Sequence, residues 1–145
     1  MRRPRKKLIF SLKLKKVKNL TIGRNWISFE YDDEKIKNKI VIKKHVDEVG
    51  DWYSKNKNEV YVNRDLGGKN SVRAVALHES IEKFVTKKYG LDIEEESHMI
   101  ADVVEKRFLE CRGFSWRRHQ ERVCKVWENE QRYRNTKMRF SFLSS

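Results

Sequence analysis

The segment Leu77-His78-Glu79-Ser80-Ile81-Glu82 brings together three side chains able to ligate a cation or move a proton. On an α-helix, residues at i and i+4 lie about 40° apart, so His78 and Glu82 share a face and can hold one metal ion, while Glu79 projects to the side. A third ligand has to come from another element. His98 stands sixteen residues after Glu82 and beyond Gly90, where an antiparallel partner helix is expected. Two histidines and one glutamate leave the fourth position of a tetrahedral Zn2+ to water, which then ionises near neutral pH. Glu79, lateral to the ligands, is the expected general base.

These residues need elements to hold them. The N-terminal half carries alternating apolar residues: Leu8, Phe10, Leu12 and Leu14, then Ile27, Phe29 and Tyr31, the spacing of half-buried strands. Lys39 to Lys43 and Glu59 to Asn63 are two further candidate strands, and Val46 to Tyr53 is either loop or a short helix across the sheet. After Gly67-Gly68 the period becomes helical. Ser71 is the expected cap of a first helix, in which Ala74, Leu77, Ile81, Phe84 and Val85 form one stripe, ended by Gly90. The stripe has His78 and Glu82 at its edge, which predicts a half-buried site. Asp92 is placed to cap a second helix, with Ile100, Val104, Phe108 and Cys111 at helical intervals. A third helix is expected from Ser115 past Trp127, with Trp116, Val123 and Trp127 buried. The fold class is therefore α+β: a small antiparallel sheet in the N-terminal half packed on two to three helices in the C-terminal half. One domain over 1–145 is expected, divided into a basic arm (1–7), a sheet region (8–66), a helical region (71–131) and a basic C-terminal extension (132–145).

Ala76 to Glu82, then Tyr89-Gly90-Leu91, then Ser97-His98-Met99-Ile100-Ala101 and Glu105, resemble the HExxE variants of zincin-like domains found in phages, archaeal viruses and plasmids. The resemblance covers roughly residues 58 to 110. It differs from the more familiar HExxH pattern in having Glu82 where a second histidine usually stands. It implies a zinc metallopeptidase with a peptide or protein substrate, the Val60-Tyr61-Val62 strand standing where zincins place the edge strand of the substrate cleft.

Charge points to a second kind of partner. Residues 1 to 24 carry ten Lys and Arg and no acid, residues 25 to 105 a net −4, and residues 106 to 145 a net +7. Arms of this kind meet polyanions. The alternative function is thus a nucleic-acid-binding or transcription-regulating protein that keeps the scaffold without catalysis. Arg2, Arg3, Arg5, Lys6, Lys7, Arg117, Arg118 and Arg122, interleaved with Trp116, Trp127 and Tyr133, are its candidate contacts. The other clusters read more simply. His119, among arginines, is expected at the surface, His45 has no acidic or thiol neighbour at ligand spacing, and Glu94-Glu95-Glu96 complement a helix dipole. Cys111 and Cys124 form no CxxC and are expected to be buried free thiols. No apolar run reaches the roughly 18 residues of a membrane span and no signal peptide is evident, so a cytoplasmic location without a membrane partner is expected. Abundant Lys and Glu suit a protein from a hot environment.

Overall fold

The computed structural model describes residues 3–54 and 56–143, without the side chains of 3, 4, 47 and 139–143. Helix α1 spans Arg3–Leu14, followed by strands β1 (Lys18–Ile22), β2 (Trp26–Tyr31) and β3 (Glu34–Lys43). A single 3-10 turn, Asp47–Val49, leads into the two-residue strand β4 (Gly50–Asp51), and β5 is Glu59–Asn63. Three helices complete the chain: α2 (Lys69–Tyr89), α3 (His98–Cys111) and α4 (Trp116–Leu143).

The fold is α+β, with a five-stranded sheet in the order β1-β2-β3-β5-β4. The expected antiparallel sheet is in fact mixed, because β3 and β5 run parallel from Lys39 opposite Glu59 to Lys43 opposite Asn63. Their connection cannot be a hairpin; it loops out through β4, which returns antiparallel to β5. Of the span Val46 to Tyr53, only Gly50–Asp51 forms the outer edge of the sheet, and its helical part is limited to the Asp47–Val49 turn that leads into it.

The residues expected to form the first strand are helical. Leu8, Ile9 and Leu12 fall at the i, i+1, i+4 spacing of a helix stripe and pack on the core, while Phe10 and Leu14 point to solvent. The alternation of apolar residues is thus incidental to a helix that takes in the expected strand and, from Arg3 onward, the expected arm, whose residues 1 and 2 lie outside the described residues. Its C-terminal end is pinned where Tyr31 donates to the Leu12 carbonyl at 2.6 Å. β1, which sequence periodicity does not show, pairs with β2 across a register shift. At the other end, α4 continues through Arg132, so the expected C-terminal extension is helical up to Leu143. Among the described residues, no helix is long and apolar enough to cross a membrane.

Helix α2 is the centre of the molecule. Ile27, Phe29, Ile40, Val60 and Val62 of the sheet meet Leu77, Ile81 and Val85 in one apolar cluster, which Ile100, Val104 and Leu109 of α3 close from the other side. Every residue from Ala74 to Lys83 is consequently buried. The helix begins at Lys69 without a side-chain cap, and Ser71 is used elsewhere. Gly90 ends it in the left-handed conformation at φ 62°, its N–H donating to the Thr86 carbonyl. Asp92 caps the next segment as expected, accepting from the Glu94 N–H at 2.9 Å; that segment opens with a π-helical turn, Ile93–Ser97. Both cysteines, expected to be buried, are exposed free thiols, because Cys111 and Cys124 lie on the solvent sides of α3 and α4.

The edge strand rides directly on α2. A Cβ on Gly50 would lie 2.6 Å from Val75 Cγ1 and 3.0 Å from Cγ and Oε1 of Glu79. Only glycine fits at that approach. Gly50→Ala is expected to lose about 1–3 kcal/mol of stability through overpacking and to displace Glu79, which denaturant unfolding together with a structure of the variant would check.

Candidate metal centre

His78, Glu79 and Glu82 lie on successive turns of α2 with exposures of 6, 7 and 8 %, so the site is more deeply buried than the edge position on the apolar stripe predicts. The reason is α3, which covers that face and contributes His98, Asp102 and Glu105. His98 opens α3, and Asp102 and Glu105 follow one and two turns later on the same side.

The two imidazoles are arranged alike. His78 turns Nε2 to Oε2 of Glu82 at 3.2 Å, and His98 turns Nδ1 to the same oxygen at 3.4 Å. The opposite ring nitrogen of each meets a carboxylate of α3. Nδ1 of His78 lies 2.7 Å from Oε1 of Glu105 and 3.4 Å from Oδ1 of Asp102; Nε2 of His98 lies 3.2 Å from Oδ2 of Asp102. The rings are 4.8 Å apart, edge to face. Glu82 is held further by Trp52, whose indole N–H donates to Oε1 at 3.1 Å. Two trios bring their ligand atoms all within 4.8 Å of one another: His78, His98 and Asp102, and His78, Glu79 and Glu82. The trio expected from the sequence, His78, Glu82 and His98, is joined instead through the single atom Oε2 of Glu82.

Asp102 and Glu105 were not among the expected site residues. Their spacing carries a signal all the same, since they stand at i+4 and i+7 from His98. His119 is corrected more thoroughly. It is buried, its Nε2 bonds Oε2 of Glu105 and its Nδ1 meets the Ser71 hydroxyl at 3.0 Å. The arginines around it face solvent while the histidine faces the core, a division that helix periodicity allows and local composition conceals. His45 also has an acidic partner, Glu130, at 3.1 Å, supplied from 85 residues away.

The electrostatics follow from burial and proximity. Burial alone would raise the Glu82 carboxyl, but His78 and His98 outweigh it and hold its pKa at about 2. Glu105 is likewise held at about 2 by His119 and His78 against the cost of burial. Asp102 and Glu82 push His98 up to about 10. His78, although burial opposes its charged form, is raised well above the ordinary value by Glu105 and Glu82. Glu79 is raised well above the carboxylate range, first by burial, which the nearby His78 does not offset. Protons on the two histidines are thus what balances Glu82 and Glu105 when no other cation does.

These residues line a cavity of about 600 Å3. One wall is the edge strand and its flanks, Glu48 to Tyr53; the other is α4, through Trp116, Val123 and Trp127. Trp127, expected in the core, is 44 % exposed at this rim. The edge-strand wall is strained, with Glu48, Val49 and Tyr53 all at positive φ, and Val49, β-branched, at 77°. β5, expected to be the cleft edge, is paired on both sides; the open edge belongs to β4.

The expected nucleic-acid contacts divide between two helices. Arg5 of α1 bonds Glu96 and the Gly90 carbonyl, Arg117 of α4 pairs with Glu121 at 3.2 Å, and Arg122 donates to the Gly67 carbonyl at 3.3 Å. Lys6, Lys7 and Arg118 are exposed, the Arg3 side chain is not described, and Arg2 lies outside the described residues. No protein-family model, curated protein or solved structure matches the chain.

The pKa shifts fix a pH dependence. The histidines, raised above the 6.5 of an unfolded chain, contribute stability that is complete below pH 6.5 and is lost as pH rises, for His98 through about 10. Glu79, also raised, loses its contribution in the same direction from 4.5 upward. The depressed Glu82 and Glu105 contribute above 4.5 and lose that contribution as pH falls through about 2. Chelator-treated protein should therefore be most stable near pH 4.5, decline to pH 6.5 as Glu79 loses its contribution, and melt at progressively lower temperature above that as the histidines lose theirs. His98→Ala should show a shallower decline from pH 6.5 to 10 by calorimetry; an unchanged decline would contradict the assignment.

Proposed function

We propose that the chain is a metal-dependent hydrolase of zincin type that cleaves peptide bonds with zinc as its ion. The observation that carries this reading is the pairing of each imidazole with two carboxylates. His78 and His98 each turn one nitrogen to Glu82 and the other toward a carboxylate of α3, the placement of a carboxylate behind a histidine ligand, although Nδ1 of His78 makes no hydrogen bond there.

The donor set fits. Nitrogen and oxygen ligands at about 2.0–2.1 Å from a tetrahedral zinc stand about 3.3 Å from one another, and the Glu82 contacts to His78 and His98 measure 3.2 and 3.4 Å. Nδ1 of His78 supports the same assignment. It is buried and within 2.7 Å of Glu105, yet it is misaligned for a hydrogen bond and has no hydrogen-bond partner. A ring aimed by a ligand bond through Nε2 explains a compromise at Nδ1. His78, Glu82 and His98 are therefore the proposed ligands, with Asp102 behind His98, and Glu105 and His119 behind His78.

Zinc held there supplies Lewis acidity, bringing the pKa of a water molecule to about 7. The chain supplies the rest. Glu79 borders the ligands without making Glu82's hydrogen bonds; a bound cation would favour its carboxylate form against burial, leaving it placed to accept a proton and return it to a leaving amine. The outer edge of β4 offers backbone groups to an extended substrate, and Trp116, Val123 and Trp127 offer it an apolar wall. Gly50 lets that edge approach Glu79 closely.

The test is metal content followed by hydrolysis. Wild-type protein purified without added zinc should carry about one equivalent of metal; His78→Ala should carry none and Glu79→Gln should keep it. A peptide library should be cleaved by the wild type, and Glu79→Gln should lower kcat about 10²–10⁴-fold with its fold intact. Full metal in His78→Ala would refute the ligand set. No cleavage by metal-loaded wild type would refute peptide hydrolysis.

A further inference from the structure

Helix α2 has a second functional face. Lys83 and Lys87 lie roughly 140° and 180° around it from His78. There they open on a separate cavity of about 580 Å3, walled also by Lys35, Lys37, Lys88 and Glu34. Five lysines face one carboxylate, and that carboxylate is already engaged, because Nζ of Lys88 pairs with Glu34 at 3.4 Å and with Asp32 at 3.3 Å. Among the described residues, Lys35, Lys37, Lys83 and Lys87 have no carboxylate at ion-pair distance.

Lys83 is the unusual member. It is 5 % exposed, and its ammonium donates to the carbonyl of Lys57. A carbonyl satisfies one of three N–H groups and none of the charge. A buried cation among other cations is costly unless a counter-charge arrives. The adjoining wall is polar as well. Ser80, fully buried, accepts from the Asn38 amide at 3.1 Å, which leaves its hydroxyl hydrogen to donate.

We propose that this lysine-walled cavity is a phosphate-binding site, with Lys83 buried within it and Lys35, Lys37 and Lys87 exposed around it. A phosphate dianion brings the missing negative charge together with several acceptor oxygens, and lysine meets it as a point charge without demanding one orientation. The phosphate can belong to a small phosphorylated molecule or to a nucleic-acid backbone. The site is independent of the metal centre and does not rest on hydrolysis.

The experiment uses full-length protein stripped of metal with a chelator, so that phosphate cannot report on the other site. Melting is compared in sodium phosphate and in sodium chloride of equal ionic strength. Phosphate at tenfold over its Kd should raise Tm by about 4 °C, and Lys83→Met and Lys87→Gln should each abolish that rise. Lys87 is exposed, so its variant keeps the test decisive if Lys83→Met folds poorly. A single-stranded oligothymidylate then separates the sources. Binding that Lys87→Gln weakens severalfold and inorganic phosphate competes away identifies a nucleic-acid backbone. Oligothymidylate binding indifferent to Lys87→Gln, with the phosphate shift lost in that variant, identifies a small phosphorylated ligand. Equal melting in phosphate and chloride, or a phosphate shift that survives both substitutions, would overturn the proposal.

Discussion

Carboxylates buried between two helices must find positive charge or shift toward the neutral form, and the architecture around α2 and α3 supplies charge to Glu82 and Glu105 while burial pushes Glu79 the other way. Glu79, Glu82 and Glu105 are each less than a tenth exposed, in surroundings where an unpaired carboxylate costs several kcal/mol. No lysine or arginine reaches them among the described ion pairs; the partners are His78, His98 and His119. That choice matters physically. An arginine would neutralise the cluster permanently, whereas histidine gives up its proton within the accessible pH range and then presents a lone pair. A cluster balanced by imidazolium is one in which a metal cation can replace protons at little structural cost, because the same atoms face the same point in both forms.

The walls of the cavity are built to the same end. Helix α4 contributes a buried His119 to the cluster and exposed Trp127 to the rim, so a single helix both braces Glu105 and shapes the opening. Opposite it, the chain accepts positive φ at Glu48 and Val49 in order to lay β4 along α2. Non-glycine residues resist that conformation, and it persists only where surrounding contacts over-determine it. Here the buried Val46 and Val49 side chains and the β4 and β5 pairing provide those contacts.

How much of this was legible in the sequence depended on the range over which each feature is encoded. The helix bearing His78, Glu79 and Glu82, its end at Gly90, the cap at Asp92 and the strands at Ile27 and Glu59 are set by local periodicity and turn chemistry, and they stand where those signals put them. Features set by long-range contact did not show. The period-two spacing of Leu8 to Leu14 was ambiguous because Leu8 and Leu12 are also four apart, and only docking against the core decides which period counts. The parallel pairing of β3 with β5 has no local signature. His119 could not be told from a surface histidine without knowing that Glu105, fourteen residues earlier, would lie against it. Asp102 was within reach, being one turn beyond His98 on the same helix.

The placement of charge around α2 ties both ends of the argument together. Its acids, Glu79 and Glu82, lie within roughly 100° of His78 and Lys87 stands opposite, while Lys83 lies between them, about 40° beyond Glu79. An ordinary surface helix would intersperse these signs as i to i+4 pairs that neutralise one another. In α2 Glu79 and Lys83 stand at that spacing, yet no described ion pair joins them: Lys83 donates to the Lys57 carbonyl, and the Glu79 carboxylate lies with His78 and Glu82. The consequence is functional: neither set is engaged with the other, so the carboxylates are left to the imidazoles and the lysines to the cavity they share with Lys35 and Lys37. A negative face lined with imidazoles suits a cation; a positive face beside a serine hydroxyl suits an anion. One central helix, buried from Ala74 to Lys83, can therefore serve two ligands of opposite charge without either site disturbing the other.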